Sequence, residues 1–137
     1  MRLSSVALMS SSLVVNLAAD NIRLLAVSMV EKAKSGHPGG AMGGADFINV
    51  LFSEFLVFDP DQPEWEGRDR FYLDPGHMSP MLYSALALQG KFTIDDLKTF
   101  RQWGSVCPVH ATRSGTHGRG YTHVPPARCR RSCNRMP

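Results

Sequence analysis

Between Asn16 and Lys34 the apolar residues Ile22, Leu25, Met29 and Ala33 recur at spacings of three and four, joined by Leu24 and Val27. That period predicts an amphipathic helix with one buried face. Glu31, Lys32 and Lys34 mark its wet end, and Ser35-Gly36 supplies a glycine suited to a left-handed C-cap. A second helix is predicted from about Gly39 to Phe55. Pro38 opens it, and proline is tolerated in a first turn because its missing N–H would have no partner there. Phe47, Val50, Leu51, Phe55 and Leu56 give this helix a strong apolar face. Its glycines, Gly39, Gly40, Gly43 and Gly44, each weaken a helix by about 0.8–1.0 kcal/mol relative to Ala. The expected compensation is close approach of another backbone or of a ligand.

Farther along, Asp59-Pro60-Asp61-Gln62-Pro63 reads as a loop and Arg70-Phe71-Tyr72-Leu73 as a short buried strand, closed by Asp74-Pro75-Gly76. A helix from about Met78 to Leu88 starts directly after His77. Thr93 and Asp96 have the spacing of a capping box, with Asp in place of the usual Glu, and predict a helix over Asp95–Trp103. Helix, helix, short strand, helix, helix is the opening of an α/β domain whose parallel sheet lies mostly ahead.

Composition divides this picture in two. The 137 residues are 43% hydrophobic and 20% charged, which suits one globular domain. Residues 1–103 hold nine Lys/Arg against twelve Asp/Glu, whereas residues 104–137 hold six Arg and no acid. All three cysteines, Cys107, Cys129 and Cys133, fall in the basic part, so disulfides are not expected to hold the body together, which fits a reducing compartment. That part contains no Leu, Ile or Phe, shows no helical or strand period, and is read as disordered. Serines interrupt the apolar residues of Met1–Val15, so we read an N-terminal extension there and not a secretory signal. No unbroken apolar run reaches the roughly 20 residues that span a bilayer, and the expectation is a soluble protein without a membrane partner.

Two motifs offer chemistry. In Ser35-Gly36-His37-Pro38-Gly39-Gly40 a histidine sits in a tight turn at the start of a glycine-rich helix. The positive end of that helix favours neutral imidazole, which donates or accepts a hydrogen bond from a hydroxyl or carbonyl. The bland alternative is a histidine that merely caps a turn. In Asp69-Arg70-Phe71-Tyr72-Leu73-Asp74-Pro75-Gly76-His77 a strand runs into a glycine turn, and a histidine opens a helix. Such junctions bind phosphates and cofactors in α/β folds; the bland alternative is an exposed histidine in an ordinary turn.

Taken in order with Leu82-Tyr83-Ser84 and with Asp95-Asp96-Leu97-Lys98-Thr99-Phe100-Arg101-Gln102-Trp103-Gly104-Ser105, these motifs resemble the start of transketolases. The resemblance runs from about Asn16 to Ser105. It implies the N-terminal part of an α/β thiamine-diphosphate-binding domain over residues 16–105, with residues 1–15 an extension and residues 106–137 a tail. Transketolases move a two-carbon ketol unit from a ketose phosphate to an aldose phosphate in the pentose phosphate pathway, using thiamine diphosphate and Mg²⁺. By that resemblance His37 contacts substrate hydroxyls and assists proton transfer, and His77 lies beside both cofactor and substrate. A cytoplasmic homodimer acting on sugar phosphates is implied for the full-length family.

Beyond Ser105 the motifs stop. His110 falls near the place of a third family histidine, but its neighbours do not match. The family's Gly-Asp-Gly motif, which holds metal and diphosphate, is absent from these 137 residues, so activity of this chain alone is not expected. A frameshift near Cys107 would explain the abrupt change of composition, and reading the gene in its other two frames tests that. His117, His123, Cys129 and Cys133 lack the tight cysteine pair of recognised zinc modules, so no metal ligand is assigned. Arg128, Arg130, Arg131 and Arg135 suit a basic arm for nucleic acid, with Tyr121 the one aromatic near them. A non-catalytic binding module of that kind is the alternative from another class. Within the enzyme class the alternatives are a related thiamine-diphosphate enzyme and the small chain of a split transketolase.

Overall fold

The computed structural model describes residues 5–59, 61–62, 65–103 and 105–107. A 29-residue helix, α1 (Ser5–Ala33), is followed by α2 (Pro38–Gly43) and α3 (Ala45–Val50). A π-helical turn (Leu51–Phe55) extends α3, a 3₁₀ turn (Gly76–Met78) leads into α4 (Ser79–Leu88), and α5 (Ile94–Leu97) comes last.

α4 is the centre of the packing. Its residues Ser79 to Leu86 are all buried, and α1, α2, α3 and α5 each lie against it. α1 buries Ala19, Ile22, Ala26 and Met29, a stripe at spacings of three and four, and Ile22, Ala26 and Met29 join clusters with α4 residues. Leu24, which the apolar period places on that face, is 67% exposed. Two residues along a helix turn a side chain by about 200°, which sends Leu24 to the far side from Ile22. Ala26 in the buried stripe is small and packs in one cluster with Met81, Leu82, Ala85 and Leu86 of α4. α1 also begins well before Asn16, and Asn49 Nδ2 on α3 donates to the Val15 carbonyl at 3.0 Å.

By length and composition alone α1 is apolar enough over Ser12–Ala33 to cross a membrane, although polar residues interrupt every apolar run within it. Only 28% of that apolar window is buried in the fold, through a stripe that includes Ile22, Ala26 and Met29.

Two apolar clusters share α4. The first gathers Ile22, Ala26, Ala41, Ala45, Ile48, Leu73, Met81, Leu82, Ala85 and Leu86. The second joins Met29, Tyr83, Leu97, Phe100 and Cys107, with Tyr83 edge-on to Phe92 at 5.6 Å. Cys107 is fully buried there, although composition places it at the start of the tail. Burial, and then the charge of Asp96, pushes its thiol up to about 12. The Tyr83 hydroxyl is raised too, by burial first and then by Cys107.

Three local expectations change. Arg70–Leu73 forms no strand, because no described segment runs alongside it to complete a ladder; Leu73 is buried and Phe71 packs on Phe52 at 5.6 Å. Among the described residues the fold is therefore helix and loop, without a sheet. The predicted helix Asp95–Trp103 shortens to Ile94–Leu97. The Thr93–Asp96 capping box starts it as expected, with Asp96 N–H donating to Thr93 Oγ1 at 3.1 Å and Thr93 N–H to Asp96 Oδ2 at 2.9 Å. It ends because the following amides of Thr99, Phe100 and Gln102 reach back only three residues, and Arg101 turns left-handed at φ 62°. The predicted helix from Gly39 to Phe55 divides at Gly44 and ends in the π turn, where the Leu56 N–H reaches Leu51 O at 2.9 Å.

Candidate active site

The turn between α1 and α2 carries the first candidate histidine. Lys34 (φ 49°) and Gly36 (φ 121°) reverse the chain, and Gly36 is the residue type that takes such a conformation without strain. His37 follows as the N-cap of α2 with extended backbone, φ −123° and ψ 112°. Its side chain makes no capping hydrogen bond, so the imidazole is not consumed by the turn. Pro38 takes the first helical position as predicted.

The second candidate arrives from 40 residues on. His77 sits in the 3₁₀ turn before α4, which closes with the Met78 N–H donating to Pro75 O at 3.1 Å. The fold lays this turn against α2, and the two imidazoles meet edge to face with ring centroids 6.0 Å apart at 69°. Both side chains are exposed.

The helix glycines explain how α2 comes so near. A Cβ on Gly40 would stand 3.0 Å from Met78 Cγ, and one on Gly44 would stand 2.4 Å from Met81 Sδ. These two glycines admit the methionines that flank the His77 segment, so the close approach is by side chains and not by a backbone. Gly39 and Gly43 have no neighbour within 4 Å of such a Cβ. α2 and its C-cap therefore pack through Gly40 and Gly44, while Gly39 and Gly43 are left bare.

Chemically, the pair offers two ring nitrogens on each of two imidazoles, at a distance where one small polyhydroxy molecule reaches both. His110, His117, His123, Cys129, Cys133 and the arginines Arg128, Arg130, Arg131 and Arg135 lie outside the described residues. Among the described residues no group of three or more His, Cys, Asp or Glu is placed to hold a metal ion.

Known proteins share this arrangement of elements. The family of the transketolase thiamine diphosphate binding domain matches residues 14–126, running past Ser105 where the motifs stop. The transketolase of Geobacillus stearothermophilus is 48% identical over 103 residues, covering 74% of this chain and 15% of that protein. The chloroplastic transketolase-1 of Arabidopsis thaliana is 44% identical over 111 residues, 80% of this chain and 15% of that protein. Among solved structures, transketolase from Leishmania mexicana superposes with a TM-score of 0.69 at 42% identity, over 73% of this chain and 15% of that one. The chain thus spans about 15% of the length of the relatives it matches. With the family match spanning most of its length and the motifs of both histidines inside it, this chain belongs to the transketolase family, in the thiamine diphosphate binding domain.

Proposed function

We propose that this chain supplies the histidine-bearing edge of a transketolase-type active site, for transfer of a two-carbon ketol unit from a ketose phosphate to an aldose phosphate. The observation that carries this reading is the 6.0 Å meeting of His37 and His77 at the start of α2. His37 hydrogen-bonds a substrate hydroxyl and takes or returns its proton at a ring nitrogen. His77 would hold a second polar group of the same molecule and, by the family resemblance, stand beside bound cofactor. Bound thiamine diphosphate supplies stabilisation of negative charge at the donor's carbonyl carbon.

The residues at hand fit one edge of that cofactor and do not hold it. Two imidazoles and a bare helix face suit a flat polar ring. The Gly-Asp-Gly motif by which the family holds metal and diphosphate is absent from these 137 residues. We therefore expect the chain alone to bind no cofactor and to turn over no sugar phosphate. The parallel sheet expected beyond these elements, the homodimer of the full-length family, the cytoplasmic setting and the pentose phosphate pathway belong to the same proposal.

Two experiments test it. Calorimetric titration of the chain with thiamine diphosphate and Mg²⁺ is expected to show no saturable binding, and tight saturable binding overturns that part. Residues 16–105, placed in the Geobacillus stearothermophilus transketolase in exchange for the matching segment, are expected to preserve ketol transfer. A graft that folds, loads its cofactor and still transfers nothing overturns the functional reading.

A further inference from the structure

Arg101 lies 64 residues beyond His37 and touches no part of the imidazole pair, yet its side chain closes onto the turn that aims His37. Its Nη1 donates to Ser35 Oγ, and its Cζ would stand 3.6 Å from a Cβ on Gly36, level with the two methyls of Val30. The guanidinium thus caps the turn from outside while Val30 supports it from α1.

The Arg101 backbone is in the left-handed region at φ 62°, where a residue with a Cβ is disfavoured. Such a conformation persists when surrounding contacts fix it. Three do so here: the Arg101 N–H donates to Cys107 O at 3.4 Å, the guanidinium stands over the Phe100 ring at 5.8 Å, and Ser35 accepts from the far end. Phe100 and Cys107 are themselves buried in the second cluster. Arg101 is consequently a strut from that cluster to the Ser35–Gly36 turn. The turn needs one, because the α2 N-cap has no side-chain hydrogen bond of its own.

From this geometry we infer that Arg101 is a positioning residue for His37, holding the Ser35–Gly36 turn so that the imidazole stands against His77. It acts through Ser35 and touches no reacting group. Its consequence for turnover rests on the transketolase-type reading above; its consequence for geometry does not.

The test is the nuclear Overhauser effect between the His37 and His77 ring protons in the full 137-residue chain. Arg101→Gly suits φ 62° and removes the strut, so it separates positioning from backbone strain. Ser35→Ala removes only the accepting hydroxyl. We expect the parent chain to show the ring–ring signal and both variants to show none while the α4 core signals stay in place. Arg101→Lys is expected to restore part of it. A full-intensity ring–ring signal in Ser35→Ala, or in a folded Arg101→Gly, overturns the inference, as does its absence from the parent. Should Arg101→Gly fail to fold, Ser35→Ala decides. In the grafted enzyme the same variants are expected to lower kcat by up to about 10²-fold, with a smaller change in KM, the scale of a misplaced catalytic group. If the two rings separate while kcat is unchanged, Arg101 keeps its positioning role and His37 is not a proton-transfer residue, so the two readings fail separately.

Discussion

α4 and the segment from α3 through the π turn are both apolar, and they end in opposite situations. α4 is enclosed, with Ser79 through Leu86 buried beneath the other four helices. The α3 segment buries Ala45 and Ile48 against that centre but leaves Phe47 62% and Phe55 68% exposed. Phe47, Val50, Leu51 and Phe55, with Asp46 at the edge, line a shallow apolar groove. An apolar residue in sequence signals that burial is favourable, and only the presence of an opposing layer decides whether it happens. The same contrast separates the glycines: Gly40 and Gly44 are closed over by methionines, Gly39 and Gly43 are not.

Substitution in α4 tests this contrast most severely. Leu82→Ala is expected to cost about 2–5 kcal/mol, read from urea unfolding, because the fully buried site leaves a cavity that rigid neighbours fill poorly. A cost under about 1 kcal/mol would mean that α4 is not the centre. Gly44→Ala follows at about 1–3 kcal/mol, since the new Cβ meets buried Met81 with Met78 Cε at 3.3 Å and Gly40 O at 3.4 Å around it. Gly43→Ala, on the open side, is expected to stabilise by up to about 1 kcal/mol through helix propensity. Equal effects at the two glycines would erase the distinction between the faces.

A smaller effect comes from Cys107. Burial holds the folded thiol protonated up to about 12 against 9.0 for an ordinary thiol. Above pH 9.0 the unfolded chain therefore binds fewer protons than the folded one. Stability from this group is complete below that pH and declines as pH rises toward about 12. A denaturant series across that range, with Cys107→Ala as reference, is expected to show the decline in the parent and less of it in the variant. The smallest effect is on the bare face, where Phe47→Ser and Phe55→Ser should change unfolding free energy by no more than about 0.5 kcal/mol. Self-association in sedimentation is expected to fall, since both rings lie exposed on one apolar surface.

Much of the candidate site is legible in the chain. Gly36 before His37-Pro38 announces a left-handed turn and a helix start, and Thr93 with Asp96 announces a cap; all three are present. Both histidines stand out through their motifs, although nothing local says that residues 37 and 77 meet. Their meeting depends on Gly40 and Gly44 admitting Met78 and Met81, a contact across the fold. Arg101 is visible only as one letter of a motif, because its left-handed backbone and its reach to Ser35 are tertiary. Composition puts Cys107 in the tail, being blind to a single thiol that fills a gap beside Phe100 and Tyr83. Arg70–Leu73 has the residues of a strand, and a strand needs a partner that the sequence of the segment cannot supply by itself.

If His37 and His77 form one site, the effects of removing them should not add. In the grafted transketolase, kcat/KM is measured for His37→Ala, His77→Ala and the double variant, with cofactor loading checked in each. Each single variant is expected to be strongly impaired and the double variant little worse than the poorer single, the behaviour of groups acting as a unit. Effects that multiply independently, or an active His37→Ala enzyme, would contradict a shared site.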